Sequence, residues 1–210
     1  MVAHEYAHGY VAFRNGDMTA YQLGRLTWNP IPHIDLFMSI LLPIITWRLS
    51  GIAFGGAKPV PVNPRNYRDF KRGDIMVSLA GIVTNLIIAI LLVPLIIIIG
   101  FLGRAAPAAA ETLSVFQRMF IFGIVINLAL AAFNLIPIPP LDGSHVMKYL
   151  LPPAWGLGYQ RTGRYGLIIL FAVLTLGAPL INLWFTPVFF LRDFAFKLIY
   201  PFILPSQWTV

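Results

Sequence analysis

The chain has 210 residues, 58% hydrophobic and only 11% charged, with a mean hydropathy of +0.77. A soluble domain carries about 25% charged residues, so this composition excludes an ordinary soluble globular domain and points to one multi-span membrane domain. The absence of cysteine excludes disulfides and thiolate metal sites, and the net charge of +7 reads as basic loops at the cytoplasmic face of a membrane, with no nucleic acid as partner.

Residues 1–13 predict a short helix carrying His4-Glu5-Tyr6-Ala7-His8. Four residues exceed one 3.6-residue turn by only about 40°, so the two histidines lie on one helix face. Their imidazoles can converge on one zinc ion, with Glu5 beside it to take a proton from the attacking water. A membrane-embedded zinc helix is expected to follow apolar turns, yet only Met1, Val2 and Ala3 precede His4. Asn15-Gly16-Asp17 signals a turn. Residues 18–29 lean towards β structure through Thr19, Tyr21, Leu23, Leu26 and Trp28, and predict one or two short strands.

Residues 34–47 are apolar but short and contain Pro43, so a tilted or re-entrant segment competes with a true span. His33, just before them, reads as an interfacial structural residue. A polar belt covers 54–74. Its alternating prolines and valines favour extended backbone, and its cations suit a headgroup-facing surface. Residues 75–102 form a long apolar run, the strongest predicted span. A small-residue loop, 103–117, leads to a second predicted span, 119–138, ending in Pro137, Pro139 and Pro140. Asn127 within it reads as an interhelical hydrogen-bonding group. A more polar connection at 143–165 precedes a third predicted span, 166–191, with candidate breaks at Pro179 and Pro187. A short aromatic tail follows at 194–204.

Lys58, Arg65, Arg68, Lys71 and Arg72 crowd the loop before the first long run, and Lys148, Arg161 and Arg164 the loop after the second. Lysine and arginine favour the cytoplasm, so 75–102 should run outward and 119–138 back in. Asp142 then lies on the cytoplasmic side with the basic belt. A hydrolytic zinc needs a third protein ligand and an open position. Among only eight acidic residues, Asp142 stands out, just after a firm span and a proline-broken helix end, where an ionisable group is a functional candidate.

Three motifs together resemble the site-2 protease family of intramembrane zinc metalloproteases, in its compact prokaryotic form without a PDZ domain. They are His4-Glu5-Tyr6-Ala7-His8-Gly9, Phe54-Gly55-Gly56-Ala57-Lys58-Pro59-Val60-Pro61-Val62-Asn63-Pro64, and Asn134-Leu135-Ile136-Pro137-Ile138-Pro139-Pro140-Leu141-Asp142-Gly143. They occur in the family's order and cover most of residues 1 to 150. The resemblance implies a single intramembrane metalloprotease domain over 1–210, an all-α polytopic membrane protein whose transmembrane bundle carries a small membrane-associated β element. It implies that His4, His8 and Asp142 bind one zinc and that Glu5 is the general base and acid. Asn85, in Ala80-Gly81-Ile82-Val83-Thr84-Asn85, resembles the family asparagine that donates hydrogen bonds to the developing oxyanion. The implied substrates are transmembrane helices of other proteins, locally unwound, with an extended segment such as 18–29 or 57–63 pairing with the unwound strand. The implied location is the multi-pass cell membrane of a prokaryote, with the site towards the cytoplasm.

The sequence departs from the family pattern at Ile82, where proline is common, and at Ser144-His145, where Gly or Ser followed by Arg is common. The rival reading is a non-catalytic membrane scaffold that holds substrate helices, against which the intact Glu5 argues. A transporter would require paired discontinuous helices in symmetric halves, and no such symmetry is visible.

Overall fold

The computed structural model describes residues 1–51 and 55–205, in two compact units. Met1–Thr84 with Asp142–Arg161 forms the first, and Asn85–Leu141 with the residues from Thr162 onward forms the second. Phe54, the first residue of the second motif, lies outside the described residues.

The zinc-motif helix, α1, runs Val2–Arg14, and Arg14 in its last turn suits the negative end of the helix dipole. It ends where the Asn15 amide donates to Val11 O and Ala12 O, and Gly16 takes φ +108°, a left-handed conformation that glycine adopts without a Cβ clash. Asp17 then closes the corner. Its Oδ1 accepts from the Thr19 amide at 3.1 Å and from the Thr19 hydroxyl, just ahead of the short helix α2, Thr19–Gln22.

The structure of this corner corrects the expected β element. Residues 18–29 hold α2 and turns, and no strand occurs among the described residues. The apolar residues there alternate only loosely, and several of them stand exposed, including Tyr21, Leu23 and Trp28. Local hydrogen bonding from the Thr19 amide to the Asp17 side chain takes the place of a strand ladder here. His33 is buried and donates through Nε2 to Thr27 O at 3.0 Å, as a structural residue should.

Asp35 accepts from the Phe37 and Met38 amides and opens a π-helical turn, Leu36–Leu41, that runs into α3, Leu42–Ser50. Pro43 falls in the first turn of α3, where no amide is needed. The apolar stretch Leu36–Arg48 reaches about 20 Å at 1.5 Å per residue, short of a roughly 30 Å hydrocarbon layer. Gly51 ends α3 at φ +72°.

The helix α4, Phe70–Ala105, has 36 residues. At about 54 Å it exceeds the hydrocarbon thickness. Among the described residues, it and Pro107–Leu135, which is mostly α5, Ala110–Leu135, are the two helices long and apolar enough to cross a membrane. Asn127 bonds within its own helix, to Gly123 O at 2.8 Å.

The third predicted span is broken. Helix α8, Gly166–Leu176, ends at Gly177, and α9, Ala178–Ile199, begins with Pro179 in its first turn. The two are bent by 84°, whereas Pro187 lies inside α9. In the second unit Ala89, Ile96, Ile124, Leu128, Ala195 and Ile199 form the buried core. Gln117 holds the carboxyl-terminal tail there, donating to Ile96 O and Phe202 O and accepting from the Leu204 amide, each at 2.9 Å.

The polar connection after the second span is helical in the first unit. It forms α6, Asp142–Leu150, and α7, Pro153–Arg161. Asp142 is the first residue of α6, where the positive end of the helix dipole favours a carboxylate.

Candidate metal centre

The helical spacing of α1 brings His4 and His8 together, with their Nε2 atoms 3.0 Å apart. Asp142 Oδ2 lies 3.3 Å from each of them. His4 is buried, and His8 and Asp142 are partly so. A tetrahedral zinc with bonds of about 2.0–2.1 Å sets its ligand atoms about 3.3–3.4 Å apart. The observed triangle has nearly these edges.

Two further observations fit these residues to a cation. His8 Nδ1 lies 2.6 Å from Val77 O. A carbonyl only accepts, so the proton sits on Nδ1 and the Nε2 lone pair faces the triangle, the tautomer a metal needs. Asp142 Oδ2 is buried and accepts no hydrogen bond of ordinary geometry. Burial alone would raise the Asp142 carboxyl, but the two imidazoles facing it prevail and hold it at about 2. Burial likewise opposes charge on His8, yet the Asp142 carboxylate outweighs it and pushes the imidazole up.

Gly81 on α4 makes room for the rings. A Cβ there would stand 2.5 Å from His4 Cε1 and 2.5 Å from His8 Nε2. Glu5, also buried, accepts from the Val60 amide at 2.8 Å. Val60 stands between two prolines in the extended 57–63 segment, so it alone offers an amide among residues 59–61. That bond fixes one Glu5 oxygen, Oε2. Asn85 is buried further along α4, in the second unit.

The structure therefore brings together His4, His8 and Asp142, with Glu5 adjacent in the chain. His145 pairs with Asp74 and joins no ligand set among the described residues. Sequence reasoning missed Gly81, the Val60 amide and the Val77 carbonyl. A glycine inside a long apolar helix was the available signal for the first, since it costs helix stability unless something approaches closely.

Beside the site, an apolar groove of about 500 Å³ opens between α1 and α4, lined by Tyr6, Tyr10, Trp28, Met76 and Val83 among others. Tyr6 stacks on Trp28 at 4.3 Å between ring centroids and shapes one wall.

Comparison with known proteins agrees with this geometry. The sequence profile of Peptidase family M50 matches residues 1–177. The chain belongs to this family, the site-2 protease family. Among its relatives is the "Putative zinc metalloprotease YwhC" of Bacillus subtilis (strain 168), 39% identical over 166 residues, 79% of this chain and 72% of that protein. The "Putative zinc metalloprotease Rip2" of Mycolicibacterium smegmatis is 32% identical over 193 residues, 91% of this chain and 69% of the relative. The "Putative zinc metalloprotease MJ0611" of Methanocaldococcus jannaschii is 28% identical over 152 residues, 70% of this chain and 64% of its own length. No solved structure matches the chain significantly.

Proposed function

We propose that this protein is a zinc-dependent endopeptidase that cleaves transmembrane helices of other proteins within or beside the lipid bilayer. The observation that carries the reading is the ligand triangle of His4, His8 and Asp142, whose 3.0–3.3 Å edges suit one tetrahedral ion. The names of these relatives support zinc as that ion. Bound there, zinc supplies a Lewis acid and a water of lowered pKa.

The remaining chemistry belongs to the chain. Glu5, tethered by the Val60 amide, takes the proton of the attacking water and returns it to the leaving amine. Asn85 is assigned to donate hydrogen bonds to the oxyanion. The apolar groove at Tyr6, Trp28 and Val83 receives an apolar side chain of the unwound substrate.

Bilayer residence is supported by α4 and by the exposed aliphatic and aromatic side chains of Ile87, Ile90, Leu91, Met119 and Phe122. Such surfaces suit hydrocarbon. The basic loops favour a site on the cytoplasmic side of a multi-pass cell-membrane protein.

The test reconstitutes the protein in vesicles with a helical membrane substrate. Glu5→Gln should slow cleavage by about 10²–10⁴-fold while zinc stays bound. Equal rates for the two proteins would refute the assignment.

A further inference from the structure

One charged cluster lies outside the ligand set. Asp74, on the second turn of α4, is only 3% exposed. Its carboxylate faces three side chains of α6. Lys148 forms an ion pair with Oδ2, the Tyr149 hydroxyl donates to Oδ2 at 2.9 Å, and His145 Nδ1 lies 3.3 Å from Oδ1. A carboxylate this buried is costly unless paired, and here it is paired three times over.

The placement of the partners gives the cluster its meaning. On α6, Asp142, His145 and Tyr149 follow at i, i+3 and i+7, one stripe of a helix. On α4, Asp74, Val77 and Gly81 repeat the same spacing. Val77 O holds His8 Nδ1, and Gly81 backs both imidazoles. A single stripe of α4 thus fixes the histidine ligands at one end and grips the helix bearing the carboxylate ligand at the other. The helix it grips is only nine residues long and starts at Asp142 itself. A helix of that length has little stability of its own, so its position depends on what holds it.

We propose that Asp74 is a positioning residue for the metal centre, setting the Asp142 carboxylate opposite His4 and His8 by anchoring α6 through Lys148, Tyr149 and His145. This rests on the reading that His4, His8 and Asp142 hold the metal. Asp74 touches neither the ion nor substrate. Removing its charge lets α6 shift, and the three ligand atoms no longer converge.

The test measures zinc affinity of the full chain in detergent by competition with a chromophoric chelator, and records the visible absorption of the cobalt(II)-loaded protein. Partners that orient ligands typically change metal affinity by about 10–100-fold. Asp74→Asn is expected to weaken zinc binding within that range and to alter the cobalt bands. Tyr149→Phe, which removes one hydroxyl and keeps the ion pair, is expected to weaken binding by a smaller factor, about 2–5-fold, and it decides the matter if Asp74→Asn does not fold. His8→Ala is expected to abolish binding. Wild-type protein that binds zinc and loses it in His8→Ala, with unchanged affinity and spectrum in Asp74→Asn, or in Tyr149→Phe where Asp74→Asn does not fold, overturns the positioning role and leaves the metal site standing. Zinc absent from the wild type, or retained by His8→Ala, overturns the metal site and the positioning role with it.

Discussion

Gly81 meets His8 so closely that only a hydrogen fits between them: a Cβ on Gly81 would stand 2.5 Å from His8 Nε2, the nitrogen turned towards Asp142. Gly81→Ala should therefore push the imidazoles of α1 away from the carboxylate. The same change favours the helix itself by about 0.5–1 kcal/mol. Zinc stoichiometry measured after dialysis should fall well below that of the parent, while α4 keeps its helix content by circular dichroism. Full zinc occupancy in Gly81→Ala would mean that Gly81 does not confine the two rings.

The Val60 amide is the tether of Glu5. Val60→Pro removes the donor in a segment that already tolerates proline on both sides. A hydrogen bond to a charged group is worth about 1.5–3 kcal/mol, so cleavage should slow by about 10–100-fold through kcat, with zinc retained. Val60→Ala loses packing against the α1 helix but keeps the amide, and should cut at close to the parental rate. Matching losses in the two variants would assign the effect to packing instead.

These two contacts show where the sequence was legible and where it was not. The i, i+4 histidines and the carboxylate beyond the second long helix were readable because helical spacing and the scarcity of acidic residues narrow the choice. The long apolar runs were readable because length and hydropathy alone define them. The contacts made by backbone groups were not. A carbonyl such as Val77 O or an amide such as that of Val60 exists at every position, and only the folded chain says which one meets a side chain. The strand expected at 18–29 failed for a related reason. Its weak alternation was a local preference, and the Asp17–Thr19 hydrogen bonding ahead of α2 competed with it successfully. His145 was visible as a departure from the family pattern, but its partner Asp74 lies 71 positions away in sequence, beyond any periodicity argument.

The groove between α1 and α4 admits a further test of substrate handling. Val83 is 48% exposed and lines it without touching the ligand set. Val83→Trp should fill part of the roughly 500 Å³ and raise KM for a helical membrane substrate several-fold. Zinc content should not change. A substrate with a smaller apolar residue next to the cut should regain part of the loss. An unchanged KM for every substrate would place the substrate elsewhere.

Asp17 carries a pH dependence that is separate from the catalytic groups. It is fully buried, and besides Thr19 it accepts from the Asn63 amide at 2.6 Å and from the Asn66 side chain at 2.8 Å. It thereby ties the α1–α2 corner to the far end of the proline-rich segment that presents Val60. Burial would raise its carboxyl, but these donors, led by the Asn63 amide, outweigh burial and hold it below its ordinary value. A carboxyl lowered in the folded state binds protons more readily when unfolded. Its contribution is therefore fully present above the unfolded value, about 3.9, and is lost as pH falls through the lower folded value. Asp17→Asn should cost about 1.5–3 kcal/mol at neutral pH and should flatten the acid side of the stability curve below about pH 4, measured by denaturant unfolding in detergent. An acid limb of the same steepness in Asp17→Asn would show that other carboxylates govern it. Because the same corner supports the Glu5 tether, the variant should also lose cleavage activity at temperatures where its zinc is still bound, which separates loosening of the proline-rich segment from loss of the metal.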